Sequence, residues 1–222
     1  MRPQTLLLPI LFTLSSCVTV CPPDMKDPFP LHTAAVHYPT RIEALLSDGV
    51  DIDTLNNYGN TALQHAVRFQ KEESVSQLLA AGANPNAGNE KDAPLSIAAR
   101  TGNTEIVRLL VKHGANPNGK SLGRTPLHNA AIFRRTEIVN ILVSCEDIDL
   151  NVQEDGTGYT ALHLAVQHER PDIISILLKH GIRYDIKDCV GNTALDLANH
   201  FTNKSMTVLL QDAEKQVEAG SV

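Results

Sequence analysis

Apolar and small residues return along this chain in one fixed order, six times over: FPLHTAA, TALQHAV, APLSIAA, TPLHNAA, TALHLAV and TALDLAN. The leucines of the six phrases are Leu31, Leu63, Leu95, Leu127, Leu162 and Leu195, so successive copies lie 32, 32, 32, 35 and 33 residues apart. Each phrase predicts a short helix. In the fourth copy Thr125 can cap it, with Pro126 at the first helical position, where a missing N–H is harmless. Alanine pairs such as Ala34-Ala35, Ala98-Ala99 and Ala130-Ala131 leave room for a close neighbour. Behind each phrase comes a second stripe, marked by Leu45-Leu46, Leu78-Leu79, Leu109-Leu110, Ile141-Leu142, Leu177-Leu178 and Leu209-Leu210. With Ile106-Val107 or Ile173-Ile174 these residues have the spacing of one buried helical face. Gly49, Gly82, Gly114 and Gly181 are placed to stop that second helix in the left-handed conformation. NPN and NNYGN then supply turn chemistry. A unit of this size repeated in phase predicts a solenoid, in which each copy buries its apolar face against the next.

The third copy, APLSIAARTGNTEIVRLLVKHGANPN (Ala93 to Asn118), and the opening Thr125-Pro126-Leu127-His128 of the fourth resemble the ankyrin repeat. That resemblance covers residues 29–212. It implies an all-α ankyrin-repeat solenoid of about six helix-turn-helix repeats with β-hairpin-like finger loops, and residues 213–222 as cap end and tail. It also implies that His32, His128 and His163 have a structural role, bonding nearby backbone and Thr hydroxyls. Two departures stand out. The turn between the helices has glycine at Gly102, whereas Tyr38, Gln70, Arg134, Glu169 and Thr202 fill the matching places. A non-glycine residue held at positive φ there costs about 1 kcal/mol. Glu146 replaces the helix-stopping glycine of the fourth copy, and DIDLNVQEDGTGY adds three residues, which predicts a longer finger. That expansion reads equally as a solvated loop or as a partner contact.

The beginning of the chain has a different pattern. Thr5 to Leu14 is an apolar run of ten residues after Met1-Arg2, too short to span a bilayer and suited to a secretory signal over residues 1–16. Leu14-Ser15-Ser16-Cys17 resembles the bacterial lipoprotein box, which implies cleavage before Cys17 and acylation of that cysteine. Several acyl chains make a stable anchor, each buried CH2 contributing about 0.8 kcal/mol. Val18 is not the Asp of inner-membrane retention, so the resemblance implies the outer membrane, facing the periplasm; the inner membrane or secretion are the alternatives. Residues 17–28, with Pro22, Pro23 and Pro28, read as an extended tether of about 3 Å per residue.

Composition narrows the chemistry. The formal net charge is −6 and no Lys/Arg block exists, so the footprint of a nucleic-acid binder is missing. Of the four cysteines, Cys145 is expected at the end of a helix and Cys189 in the next finger, too far apart for a disulfide. His168 and His200 occupy similar places in adjacent copies, yet no Cys or carboxylate is arrayed beside them as a metal site requires. No nucleophile-elbow, zinc-protease or phosphate-loop motif occurs. The expectation is a protein without enzymatic activity and without a cofactor.

The resemblance places partner contacts on the inner helices and finger tips. The inner set is Arg68, Phe69, Arg100, Phe133, Arg134, Gln167 and His168; the finger set is Tyr58, Glu90, Lys91, Leu122, Glu154 and Asp155. Aromatic residues and arginine are the side chains enriched at binding hot spots. Phe69 and Phe133 read either as contacts or as packing over the missing glycines. The chain is thus expected to be a monomeric, lipid-anchored envelope protein that captures a protein partner, with an inhibitor or immunity-type role as the specific version. A structural tether is one alternative. Another is a secreted or cytosolic regulator, because DLNVQEDGTGYTALHLAVQHERPDIISILLKHG resembles inhibitor-of-NF-κB-type ankyrin proteins; an enzyme comes last.

Overall fold

Every repeated phrase becomes a helix, and in four of the six its first residues close their own N-terminus. Thr61, Thr125, Thr160 and Thr193 each accept the N–H three residues on, and the side chains of Gln64, His128, His163 and Asp196 reach back to the N–H of the capping threonine. These are capping boxes, which satisfy two orphan donors at once. In the computed structural model, which describes residues 27–89, 92–201 and 204–219, the first helices are α1 (Pro30–His37), α3 (Ala62–Arg68), α5 (Pro94–Thr101), α7 (Pro126–Ile132), α9 (Ala161–Gln167) and α11 (Ala194–His200). The second helices are α2 (Ile42–Ser47), α4 (Glu72–Ala80), α6 (Thr104–Lys112), α8 (Thr136–Val143), α10 (Pro171–Lys179) and α12 (Lys204–Ala219). First helices pack on first helices and second on second, giving two layers that share one core. The expected all-α solenoid is what forms.

Close approach within the first layer rests on an alanine three residues after each repeated leucine. Ala34, Ala66, Ala98, Ala130, Ala165 and Ala198 are all 2% exposed or less. The leucine and isoleucine stripe of the second helices fills the other side, with Leu78, Leu110, Leu142 and Leu177 fully buried. Burying such a side chain contributes about 1.5–3 kcal/mol.

One further position ties copy to copy. The residue after each repeated leucine donates to a carbonyl of the next copy: His32 to Asn60 at 2.8 Å, Gln64 to Asp92 at 3.0 Å, Ser96 to Arg124 at 2.7 Å, His128 to Tyr159 at 3.0 Å and His163 to Asn192 at 3.2 Å. The expected structural role of these histidines is therefore seen. In the sixth copy the position is Asp196, which as a carboxylate accepts from Thr193 and has no donor for a further copy.

The fingers carry a second ladder, and here the asparagines do more than make turns. Side chains of Asp53, Asn86, Asn118 and Asn151 accept the backbone N–H of Asn84, Asn116, Asp149 and Arg183, at 3.1, 2.7, 2.8 and 2.8 Å. Among the described residues the fingers form no strand, only isolated bridges from Ser121 to Asp92 and Arg124.

The departures from the repeat resolve individually. Gln70, Arg134 and Glu169 do sit at φ of 55°, 53° and 55°, where Gly102 has 86°. Tyr38 does not: its φ is −140°, because Pro39–Arg41 forms a 3-10 turn that makes the connection instead. Thr202 lies outside the described residues. Gly49, Gly82, Gly114 and Gly181 take the expected left-handed conformation. Without such a glycine α8 ends at Val143 with Ser144 as its cap.

Two outcomes follow from these interactions. Replacing Gln70 by glycine removes a strain of about 1 kcal/mol, and thermal unfolding is expected about 2–4 °C higher. His128 is the pH-sensitive bridge: burial holds it neutral, with a pKa lowered to about 4, and burial lowers His163 in the same direction. Its ring Nδ1 faces the Thr125 N–H, so a second proton would oppose a donor. Folded molecules thus bind fewer protons than unfolded ones, whose His titrates near 6.5. This stabilisation is complete above about pH 6.5 and is lost as pH falls toward 4. His128→Gln, which copies the working Gln64, is expected to keep most of the stability at pH 7 and to flatten the fall in melting temperature between pH 7 and 4.5.

Candidate binding surface

The tips of the fingers are built by short side-chain clamps. Asn56 accepts the N–H of Tyr58 at 2.9 Å, and Asp188 accepts that of Val190 at 2.9 Å. In the third finger Ser121 and Arg124 exchange both backbone hydrogen bonds, at 2.8 and 3.1 Å, across Leu122-Gly123. Both central residues have positive φ, 52° and 79°. This is the tight hairpin geometry that favours Asn-Gly. A leucine here is strained as well as exposed. Tyr58, Leu122 and Val190 all lie five residues before a repeated leucine and are 80%, 75% and 85% exposed. The sequence reading took up Tyr58 and Leu122 and missed Val190; its identical place in the period was the available signal.

Across the first-helix layer a second row lies six residues after each leucine: His37, Phe69, Thr101, Phe133, His168 and Phe201. Phe69 is 53% exposed, Phe133 44% and Phe201 44%, so the phenylalanines are not folded back into the core. Each caps the C-terminal end of its helix through its backbone N–H, which leaves the ring outside. Between the first two copies this row borders a cleft of about 550 Å³ that runs from Asn56 at a finger foot to Lys71 at a turn, past His32, His65 and Phe69.

The remaining expected contact residues divide by charge pairing. Arg68 is fixed by Asp92 at 2.6 Å, and Arg134 stands 3.9 Å from Asp172. Arg100 is half-buried, with an Nε that has no hydrogen-bond partner. Gln167 is exposed; His168 is half-buried, its pKa lowered by that burial and then by Arg170 and Arg124. Cys17, Glu90 and Lys91 lie outside the described residues. No group of three metal-ligating side chains gathers among the described residues, His168 and His200 included. Cys145 and Cys189 are free thiols, the first half-buried with its pKa raised by that burial.

Glu154 is a correction. It was expected on the polar rim, yet it is 5% exposed, accepting from Arg124 Nε and from the Thr157 hydroxyl. The expanded finger explains this. Its three extra residues are held on both sides, with the Asp155 N–H donating to Gly123 at 3.1 Å and the Cys189 N–H to Thr157 at 2.9 Å. Glu154 is the inward strut of that arrangement, while Asp155 is exposed and paired with Lys120.

Comparison with known proteins agrees with this geometry. The family model of ankyrin repeats, in three copies, matches residues 8–89, 86–154 and 146–219. The chain belongs to the ankyrin-repeat family, whose members generally serve as protein-interaction modules. Alpha-latrotoxin-Lh1a of Latrodectus hasselti is 36% identical over 66 residues, 30% of this chain and only 5% of the toxin. The crystal structure of an ankyrin repeat domain from Acinetobacter baumannii AYE superposes with a TM-score of 0.79 at 31% identity, covering 85% of this chain and 99% of that one. The ankyrin repeat domain of Bcl-3, described as a unique member of the IκB family, has a TM-score of 0.73 at 24% identity over 83% and 85% of the two chains. That second likeness concerns the fold.

Struts and rim should separate in unfolding experiments. Glu154→Ala is expected to cost about 1–2 kcal/mol in urea denaturation, because it removes the buried acceptor of Arg124 and Thr157, although both donors can still reach water. Asp155→Ala removes only an exposed pair and should cost under about 0.5 kcal/mol.

Proposed function

We propose that this protein is a non-enzymatic, lipid-anchored envelope protein that captures a protein partner on its first-helix face and finger tips. The observation that carries the reading is the set of exposed apolar side chains, Tyr58, Leu122 and Val190 on the tips and Phe69, Phe133 and Phe201 in the row behind them. Folding gives them nothing to cover. Singly exposed apolar residues are ordinary, so what supports the reading is their recurrence at two fixed phases in the second, fourth and sixth copies. Leu122 adds strain to exposure, a combination that persists at functional positions. Capture here is stoichiometric binding to a preformed surface, which inhibits whatever the partner does when bound. A toxin or enzyme entering the periplasm is the specific partner class that an immunity-type role would require.

The anchor is supported by the leader alone. Residues 1–16 have the pattern of a secretory signal, and Leu14-Ser15-Ser16-Cys17 that of a lipoprotein box. Acylated Cys17, followed by the proline-bearing stretch to residue 28, would hold the repeats a few nanometres from the outer membrane on its periplasmic side. The anchor raises the local concentration of the binding surface, so that moderate affinity is enough.

Crosslinking in intact cells followed by affinity capture tests both parts. The wild-type chain is expected to retain one protein that the Phe69→Ala/Phe133→Ala variant loses while its melting temperature stays within about 2 °C. A variant that still captures the same protein, or a wild type that captures none, removes the binding reading. Palmitate labelling that persists in Cys17→Ser removes the anchor.

A further inference from the structure

The four positions from five to eight residues after each repeated leucine run along the ends of the first helices and the turns that follow. They hold Arg68, Lys71, Arg100, Arg134, Arg135 and Arg170, against a single carboxylate, Glu169. This is a basic strip on a chain with 25 acidic and 19 basic side chains. The nearest acids begin only one or two residues beyond the strip. Glu43, Glu72, Glu105, Glu137 and Asp172 occupy the first turns of second helices, where the helix dipole favours them. Much of the rest is in the fingers.

Internal pairing does not use up the strip. Arg68 is committed to Asp92. Arg135 reaches only the Thr101 carbonyl, at 3.4 Å. Arg134 is 3.9 Å from Asp172 Oδ2, which also accepts the Thr136 hydroxyl at 2.8 Å, while Asp172 Oδ1 has no partner. Arg100 and Arg170 each have a buried Nε with no hydrogen-bond partner. The guanidinium groups alternate along the strip with the rings of Phe69, Phe133 and Phe201.

We infer that the partner segment is an extended acidic stretch of protein chain, with carboxylates opposite Arg100, Arg134 and Arg170 and apolar side chains against the three phenylalanines. This rests on the protein-capture reading above and adds the chemistry of what is captured. Guanidinium groups hold carboxylates by paired hydrogen bonds. Neighbouring helices stand about 8–10 Å apart, and an extended chain rises about 3.3 Å per residue, so roughly every third residue meets a new repeat. About 12 residues cross from the second copy to the sixth. A single-stranded nucleic acid would stack bases on the rings, but it carries a charge at every residue, so the acidic fingers beside the strip oppose it more than they oppose a peptide with spaced carboxylates.

The test is selection of a random 12-residue phage-displayed library on the full chain purified in detergent. Enriched peptides are expected to carry a net charge of −3 or below with at least one aromatic or leucine. The best of them should bind at least ten-fold more weakly to Arg100→Gln/Arg170→Gln, and more weakly as salt is raised. Its Glu→Gln, Asp→Asn counterpart should lose as much. Circular dichroism melting of the variant, unchanged within about 2 °C, shows that the loss is not unfolding. Neutral or basic enriched peptides, or no enrichment, overturn the inference; so does equal displacement by a 12-residue oligothymidylate. Neutral peptides lost by Phe69→Ala/Phe133→Ala would leave protein capture standing and remove only the acidic partner.

Discussion

The structure depends on a single hydrogen bond repeated down the molecule, from the side chain after each of the first five repeated leucines to a carbonyl of the next copy. A helix pair of this size cannot bury its own apolar face, so it needs a neighbour at a fixed distance and rotation. Alanine permits the distance. The side-chain bridge sets the rotation, because it spans from a capped helix start to the foot of the next finger. Histidine, glutamine and serine all perform it here, and what they share is a donor with the right reach rather than one residue type. Asp196 has lost the donor in the copy that no further described copy follows.

The same bridge links the scaffold to the surface. By holding the helix starts it fixes the finger feet, and the Asp53, Asn86, Asn118 and Asn151 ladder then fixes their spacing. Finger tips and helix ends are left as the two places where some side chains take no part in the scaffold. Those are the places that hold exposed tyrosine, leucine, valine and phenylalanine. Rigidity behind an apolar row lowers the entropic cost of binding, since little needs ordering when a partner arrives.

Charge follows a related division. Carboxylates sit where helix dipoles and finger turns accept them, as at Asp172 and Asp188, and several are already engaged by backbone N–H groups. Arginines collect at the C-terminal ends of the first helices, beside the acidic starts of the second, where basic side chains suit the helix C-terminus. Helix electrostatics alone would place them there. Their incomplete pairing is the part that helix electrostatics does not explain.

Much was legible in the sequence: the period, the two helices of each copy, the caps, the left-handed glycines and the structural histidines. Those features are local or repeat in phase, so residue type and spacing determine them. Tyr58 and Leu122 could also be placed on the finger tips by their phase, whereas phase left Phe69 and Phe133 between contact and packing. What spacing could not decide was which polar residues face inward. Glu154 and Asp155 are adjacent and chemically alike, yet one is a buried strut and the other an exposed rim charge. Tyr38 matched a glycine position, but the turn beside it folded differently around Pro39. The asparagines that read as turn formers proved to be rungs between fingers. Tyr38 is decided by its neighbour, but for Glu154 and the asparagines the deciding partner is about 30 residues away in an adjacent copy, whose position exists only once the copies have stacked.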